Sequence, residues 1–473
     1  MFTRFWVCAP ALAAAALLSA CRTFSPDGGM ETVAFVAGQG LAKDVARIDS
    51  PAVAGQAQAK ISRLLRAPLS ADAAVQVALL NNAGLQAAYN RLGVAEAVAV
   101  QASRPPLPAF SLERVSTSVE LDIERKVVGS ILALAVWPSR KKIAGMRFAQ
   151  AELRAAEETL RLAALTRRAH VNAVAAREIV GALGKAKASA EGSAELAAKL
   201  KETGAINALD LARTQVFATE MEAQLAAALQ QAAAAEERLT RLMGLWETEL
   251  ARLLPAALPP LPRKSRSRTA AVQEAMDRRV DLAIGKIEVE ALAKSYGLTR
   301  TTRFINVLDA GGISKTQKDT GERKADGGGF DIAFEVPLYD FGKARVREAE
   351  QRYLEALNLL AETAVNARSE AREAYANYAS SHAIAAKYER EVLPLRETIS
   401  AETELQYNAM QVDAFTLLET ARADAAAKVA SIEAKRNFWL AYTDLSAAVL
   451  GGGTSGEGSG LLLAADPAAS TRH

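Results

Sequence analysis

The sequence is poor in cysteine, histidine and aromatic residues, and each shortage excludes a class of protein. Two cysteines and three histidines in 473 residues exclude a disulfide scaffold and a cysteine-rich zinc module. Aromatic residues make up 5% of the chain although 50% of it is hydrophobic, because much of the apolar content is alanine. This composition favours closely packed helices over a core of large aromatic side chains.

An excess of charge of one sign is also absent. Lysine and arginine number 57 against 54 acidic residues, and the net charge of +3 argues against a nucleic-acid partner. His170 and His382 lack metal-ligand spacing and are expected at the surface. The glycines at 311–312 and 327–329 lack the Gly-Lys-Ser/Thr of a phosphate loop. We therefore expect no enzymatic activity, no cofactor and no metal site.

Residues 1–20 have the features of an export signal. Arg4 precedes an apolar run that is too short to span a bilayer as a helix. The sequence Leu-Ser-Ala-Cys ending at Cys21 resembles a bacterial lipobox, so we expect Cys21 to be acylated and Cys8 to be removed. An ordinary cleaved signal with an incidental cysteine is the alternative. Arg22 stands where an aspartate retains many lipoproteins at the inner membrane, which favours the outer membrane.

Proline is absent from two long stretches of the chain. None occurs between Pro138 and Pro255, and between Pro337 and Pro467 there is only Pro394, where a bend is expected. Because proline is excluded from helix interiors, both stretches predict long helices, and their alanine, leucine, glutamate and arginine content agrees. The predicted helices span about 139–203, 207–245, 340–408 and 413–449.

Four short segments predict strands. In the last of them, Phe330, Ile332 and Phe334 alternate with polar or small residues, which is the period of a strand with one apolar face. Each segment has about the ten residues that a tilted strand needs to cross a bilayer, and no apolar run of helical length follows the signal. A soluble hairpin capping a helical bundle is the alternative. The predicted strands are 109–117, 128–137, 302–313 and 328–337, with charged connections at 120–126 and 315–326.

These elements suggest an internal duplication. Each half contains a helical stretch, two strands and a long helical hairpin, and a proline-rich segment separates the halves. The predicted organisation is a signal peptide (1–20), an acylated N-terminal segment (21–68), a first repeat (69–254), a linker (255–268), a second repeat (269–450) and a flexible tail (451–473).

Several motifs resemble the TolC family of outer-membrane efflux channels. Val-Pro-Leu-Tyr-Asp-Phe-Gly-Lys at 336–343 is similar to the strand-to-helix turn of that family, and Val-Leu-Pro-Leu at 392–395 to its mid-helix break. Thr-Gly-Ala-Ile-Asn-Ala-Leu-Asp-Leu at 203–211 and the stretch 407–421 resemble its two helical tips. Two departures are Met410, where the family has glycine, and 137–142, which lacks the turn motif.

The resemblance implies a mainly α fold with a small β part. Long coiled-coil hairpins and four transmembrane strands per chain would form, in a homotrimer, one helical tunnel and one twelve-stranded barrel. The implied function is the outer-membrane channel of a tripartite efflux or type I export system. Its partners would be a periplasmic adaptor protein, an inner-membrane pump and outer-membrane lipid. A periplasmic coiled-coil lipoprotein acting as an envelope scaffold is the alternative.

The resemblance also implies a functional site at the helical tips. A channel gate would be built from Asp210, Tyr407, Asp413, Thr416 and Glu419. In a trimer, three Glu419 carboxylates would surround one axis and attract cations. The tips themselves, which would meet the adaptor, are Gly204, Ala205, Met410 and Gln411. A solvated polar helix position, or a plain helix-to-helix turn at Gly204, is the alternative for these residues.

Overall fold

The structure is a computed structural model that describes residues 24–117, 120–246, 252–263, 266–319 and 324–451. The signal peptide 1–20, the lipidation site Cys21 and the tail after Gly451 lie outside these residues. The predictions for them therefore stay predictions.

Helices dominate the described residues, as the composition predicts, and a single small sheet accompanies them. The first helices are α1 (Met30–Leu41), α2 (Pro51–Leu64), α3 (Ala71–Asn81), α4 (Ala83–Ala102), α5 (Ile131–Glu202), α6 (Ala208–Met243) and α7 (Arg268–Arg278). The others are α8 (Val280–Thr301), α9 (Lys343–Lys387), α10 (Leu393–Asn408) and α11 (Ala414–Leu450). The mainly α fold class with long helical hairpins is confirmed.

Four antiparallel strands form the sheet, in the order in which they occur along the chain. They are β1 (Ala109–Ser116), β2 (Glu120–Ser130), β3 (Val307–Asp319) and β4 (Lys324–Glu335). Pairing is continuous between neighbours, with Phe110 opposite Val127 and Gly312 opposite Phe330. The first and second halves of the sequence thus supply two strands each, and β1 and β4 are the edges.

The prediction of a strand over 128–137 is wrong beyond residue 130. Ile131 begins helix α5, because the hydroxyl of Ser130 accepts a hydrogen bond from the backbone N–H of Ala133 and caps it. Pro138 lies inside the helix. The indole N–H of Trp137 donates to the carbonyl of Ser103, so a tertiary contact holds this apolar run in its helical conformation.

The charged stretch 120–126, predicted as a connection, is instead most of strand β2. Glu120, Asp122, Glu124 and Lys126 alternate with Leu121, Ile123 and Arg125, so these four charges share one face of the sheet and Arg125 lies on the other. Cross-strand ion pairs stabilise that face, one between Lys126 and Asp331 and one of 2.7 Å between Lys315 and Asp122. Cross-strand pairing of charged residues also explains why β3 and β4 extend into the predicted loop 315–326.

In the second half, the predicted turn and helix break have clear physical causes. Gly342 has φ +72°, and a Cβ there would lie 2.3 Å from the carbonyl oxygen of Arg303, so the 336–343 motif needs a glycine. The predicted break at Pro394 is a single π turn at Tyr388–Val392, where the N–H of Leu393 bonds to the carbonyl of Tyr388. The helix continues through the proline as α10.

The chain divides into two compact units, and each half of the sequence contributes to both. The first unit contains the sheet and comprises Ala87–Ala156 and Asp281–Val365, with residues 24–33. The second comprises Ala34–Gln86, Glu157–Val280 and residues 366–451.

The second unit has well-buried cores. One core joins Leu69, Val174, Leu239 and Met243, and another is built around Tyr378 and Phe438. His170 lies in this unit and is 5% exposed, which corrects its expected surface position. Its ring bonds to the carbonyl of Leu69, and burial is the main cause that lowers its pKa. His170 therefore has a structural role. The sequence shows no partner motif around it, and that absence is the same for a buried structural histidine and for a surface one.

Among the described residues, no helix is both long enough and apolar enough to cross a membrane. No group of histidine, cysteine, aspartate and glutamate in the same residues could hold a metal ion.

Candidate functional site

The two predicted helical tips have the same backbone geometry. After α5, Gly204 has φ +74° and donates to the carbonyl of Lys201, while the N–H of Ala205 donates to that of Leu200 at 2.8 Å. After α10, Met410 has φ +60° and donates to Tyr407, while Gln411 donates to Gln406 at 2.8 Å. This double bond pattern is a Schellman motif, which satisfies the last carbonyls of a helix. The predicted tip residues therefore lie in two equivalent turns, one with Gly204 and Ala205 and the other with Met410 and Gln411.

The helix that follows each tip is capped in the same way. The side chain of Asn207 accepts from the N–H of Asp210 at 2.9 Å and begins α6. Asp413 accepts from the N–H and the hydroxyl of Thr416 at 2.9 and 2.7 Å and begins α11. The bonds from Thr416 lower the pKa of the Asp413 carboxyl, because they stabilise its charged form. Asp413 and Thr416 thus form one local pair.

Helices α6 and α11 pack against each other above the tips. Phe217 and Met221 of α6 are buried, and Leu418, Ala421 and Ala425 of α11 pack against them. These α11 residues recur at helical spacing and form one stripe. Thr416 is exposed and lies on the opposite side of α11, because it is two residues before Leu418.

A single arginine ties the two helices together. Arg422 of α11 contacts Glu220 of α6 at 2.8 Å, and its guanidinium lies 5.2 Å from the ring centre of Phe217. It also lies 3.6 Å from Glu419 on its own helix. One cation therefore serves two carboxylates, and its Nε is buried without a hydrogen-bond partner among the described residues. Glu419 itself is exposed.

A second arginine makes a similar bridge nearer the tips. Arg213 of α6 lies 3.5 Å from Asp210 and stacks over Phe415 of α11, with 4.6 Å from the guanidinium carbon to the ring centre. Asp210 therefore reaches the neighbouring helix through Arg213. The Tyr407 side chain is half-buried, and no hydrogen bond in the described part of the chain joins its hydroxyl to Asp210.

Four of the five predicted gate residues consequently fall into three local pairs, and Tyr407 is in none of them. Asp413 pairs with Thr416, Asp210 with Arg213, and Glu419 with Arg422. Sequence reasoning missed the residues that join the helices, namely Arg213, Phe217, Glu220, Phe415 and Arg422. The acid–arginine spacing of three residues was visible in the sequence, but the contacts of Arg422 with Glu220 and of Arg213 with Phe415 are tertiary.

In the first unit, the two faces of the sheet differ sharply in chemistry. The register places on one face, here called the apolar face, Phe110, Leu112, Val127, Phe330, Ile332 and Phe334. All six are exposed, and Phe330 is 83% exposed. The opposite, charged face carries Glu113, Asp122, Glu124, Lys126, Lys315 and Asp331. A contiguous exposed apolar face of this kind marks a surface that contacts another protein or a membrane.

Solved structures of outer-membrane channels are similar to the chain over most of its length. The outer-membrane channel OprN aligns with a TM-score of 0.68 and 15% identity, over 92% of this chain and 96% of its own. The Campylobacter jejuni CmeC outer membrane channel gives 0.64 and 18%, over 81% and 86%. The open state of the Neisseria gonorrhoeae MtrE outer membrane channel gives 0.67 and 15%, over 80% and 88%.

No protein-family model matches the chain, and no curated protein matches its sequence. The similarity is therefore one of three-dimensional structure. The chain has the fold of these outer-membrane channel proteins, as its resemblance to the TolC family implied.

Proposed function

We propose that three copies of this chain form an outer-membrane channel, the passive conduit of a tripartite efflux or type I export system. The apolar face of the sheet carries the proposal. It presents exposed phenylalanines to one side while the charged face holds its ion pairs on the other. Lipid outside and water inside is the environment that suits both faces.

The unpaired edges of the sheet support a trimer. A four-stranded sheet in lipid would leave the backbone groups of β1 and β4 without hydrogen bonds. Three sheets joined edge to edge give three times four, or twelve, strands and leave no edge. The long helices would then continue as a tunnel across the periplasm.

At the far end of that tunnel, the tips and the α6–α11 contacts would form the gate. Arg422 and Arg213 hold the two helices together, so separating them opens the constriction. Asp210, Tyr407, Asp413, Thr416 and Glu419 would line or support it, with three Glu419 carboxylates around the axis. The exposed tips at Gly204, Ala205, Met410 and Gln411 would contact a periplasmic adaptor, which links the channel to an inner-membrane pump.

Acylation of Cys21 would anchor each chain in the outer membrane. The anchor would add to the membrane contact made by the strands. Substrate selection would belong to the pump, because the channel would be a passive conduit.

A charge placed on either face of the sheet tests this function. Phe330→Asp puts a carboxylate on the apolar face, and we expect it to abolish insertion into lipid vesicles and the ion conductance that follows. Ala333→Asp, three residues along the same strand, puts the same charge on the charged face and should leave insertion intact. Equal insertion of both variants would contradict the channel. A wild-type chain that stays in water without detergent would favour the envelope scaffold.

A further inference from the structure

The apolar face changes character toward the hairpin ends of its strands. From Leu112 toward the hairpin ends, the same face carries an exposed basic side chain on every strand, and the half-buried Ile123 and Leu121 of β2 lie among them. These four residues, here called the basic belt, are Arg114 on β1, Arg125 on β2, Lys318 on β3 and Lys324 on β4. The sequence shows them as scattered charges, and the register brings them together.

The register fixes how close the four residues are. Arg125 lies opposite Ser314, Lys318 lies opposite Lys324, and Arg114 is one pair of residues along from Leu112. Neighbouring strands are about 4.8 Å apart, so the belt is about 14 Å wide across the four strands. Side chains on one face recur every ~6.7 Å along a strand, and the belt residues occupy three successive rows of the sheet. The belt therefore extends about 13 Å along the strands, close to its width. Long side chains can converge over such an area.

The charge of the belt is largely uncompensated. Among the strand residues that the structure describes, Asp326 is the one acid in this part of the apolar face, and it lies 3.1 Å from Lys324. Arg125 contributes a 3.5 Å hydrogen bond to the Thr316 hydroxyl. By contrast, the lysines of the charged face are each paired with an aspartate, Lys126 with Asp331 and Lys315 with Asp122.

An apolar surface followed directly by a basic belt is complementary to one kind of molecule. Acyl chains pack against exposed phenylalanine and leucine, and phosphate groups accept charge-assisted hydrogen bonds from arginine and lysine. A soluble anion would match the belt but has no use for the apolar surface. A neutral lipid would match the apolar surface but leaves the belt without a counter-charge.

From this juxtaposition we propose that the basic belt is a binding site for the phosphorylated headgroups of the lipid that surrounds the channel. The inference rests on the proposed function, because the apolar face contacts lipid only in an inserted channel. The belt lies at the hairpin end of the strands, so the lipid would be that of the leaflet farthest from the helices. The bound phosphates would fix the depth of the sheet in the membrane.

Lipid binding to the purified full-length channel in neutral detergent tests the proposal. The probes are diphosphoryl lipid A, phosphatidylcholine and inorganic phosphate, each titrated against the wild type. The neutralised variant combines Arg114→Gln, Arg125→Gln, Lys318→Gln and Lys324→Gln. The control variant removes as many exposed charges from the helices through Lys199→Gln, Lys201→Gln, Arg368→Gln and Arg372→Gln.

We expect the wild type and the control variant to bind lipid A selectively, and the neutralised variant to bind it at least about tenfold more weakly. Undiminished lipid A binding by the neutralised variant would overturn the proposal, and so would equal binding of inorganic phosphate. If the fourfold variant does not fold, the two pairs Arg114/Arg125 and Lys318/Lys324 are changed separately, and each should weaken binding.

Insertion into phosphatidylcholine vesicles separates this inference from the proposed function. A channel that inserts and conducts there but shows no preference for lipid A contradicts the belt alone. A chain that fails to insert into any vesicle contradicts the channel itself.

Discussion

Met410 adopts a backbone conformation that a glycine reaches without strain. Its φ of +60° places a Cβ close to the neighbouring carbonyl oxygen, at a cost of about 1 kcal/mol for an L residue. The equivalent position of the first tip is Gly204. The Met410 side chain is 93% exposed, so packing inside the chain does not offset the strain. An exposed methionine in that position fits a contact with another molecule.

We therefore predict that Met410→Gly stabilises the second tip. Hydrogen exchange of the Gln411 amide, which bonds to Gln406, should slow by a few-fold as the strain is removed. Gly204→Ala is the matched control and should speed exchange at Ala205, because nothing lies within 4 Å of the added Cβ and the strain alone acts. Faster exchange of the Gln411 amide in Met410→Gly would contradict backbone strain at Met410.

Glu419 is the predicted pore-facing carboxylate, and the structure gives it an exposed position beside Arg422. In a trimer, three such carboxylates would concentrate cations at the constriction. We predict that Glu419→Ala reduces block by divalent cations in single-channel recordings. Glu433→Ala is the control, because Glu433 is an exposed acid about four turns further along α11, and this variant should leave block unchanged. Equal block in the wild type and Glu419→Ala would remove Glu419 from the pore.

At the scale of single residues, the turn at Gly204 was predicted from the sequence, whereas the N-caps and the pairing of the gate residues were not. Asn207 and Asp413 are helix-capping residue types that follow the two tips. The partner of Arg422 lies about 200 positions away on another helix, and only folding brings the two together. Asp210 was selected by resemblance, but its bond is to Arg213 in its own helix.

Helices α6 and α11 are held by few polar contacts. Their shared apolar stripe is small, and the Arg422–Glu220 pair lies where both side chains are accessible to solvent. Exposed ion pairs contribute about 0 to 1 kcal/mol each, so the contact is weak enough to open. Three copies of this pair in a trimer would still favour the closed arrangement.

We predict that Arg422→Gln raises the open probability of the reconstituted channel. The change frees α11 from Glu220 and also removes the cation beside Glu419. Arg436→Gln is the control, because Arg436 pairs with Glu433 within the same helix and, in the described part of the chain, has no ion pair with another element. High salt should shift the wild type in the same direction by screening the pair. An unchanged open probability would mean that the pair does not hold the gate.

The four long helices were predicted to within a few residues apart from the start of α5, whereas α1, α2 and the strand boundaries were not. Proline exclusion and capping residues mark a helix locally, which is why α6 and α11 lie within two residues of their predicted ranges. In β2, charged residues mask the period-two pattern because their partners are on β3 and β4. The apolar run 131–137 fits a strand or a helix, and the cap at Ser130 decides it.

At the scale of the whole molecule, the incompleteness of one chain is its main feature. A sheet with an apolar face and two open edges is stable only when the edges are paired and the face is covered. In the proposed channel, association of identical sheets would meet the first need and lipid would meet the second. The ion pairs of the charged face would then lie in water, where they cost little.

We predict that the detergent-purified protein is a trimer with about three times the 50.1 kDa of the full chain, less the removed signal. Light scattering corrected for bound detergent measures this mass. An unheated sample should also migrate as a trimer on a denaturing gel, and boiling should convert it to the monomer. A monomer in both measurements would exclude closure of the sheet by identical copies.

The sequence by itself determined the long helices, their caps, the turn at Gly342 and the presence of amphipathic strands, because each depends on residues that are close along the chain. The tertiary structure decided the register of β2 with β3, the Arg422–Glu220 link and the gathering of the basic belt. These depend on pairs of residues that are distant in sequence. Their energies exist only after the chain has folded, so no local pattern could reveal them.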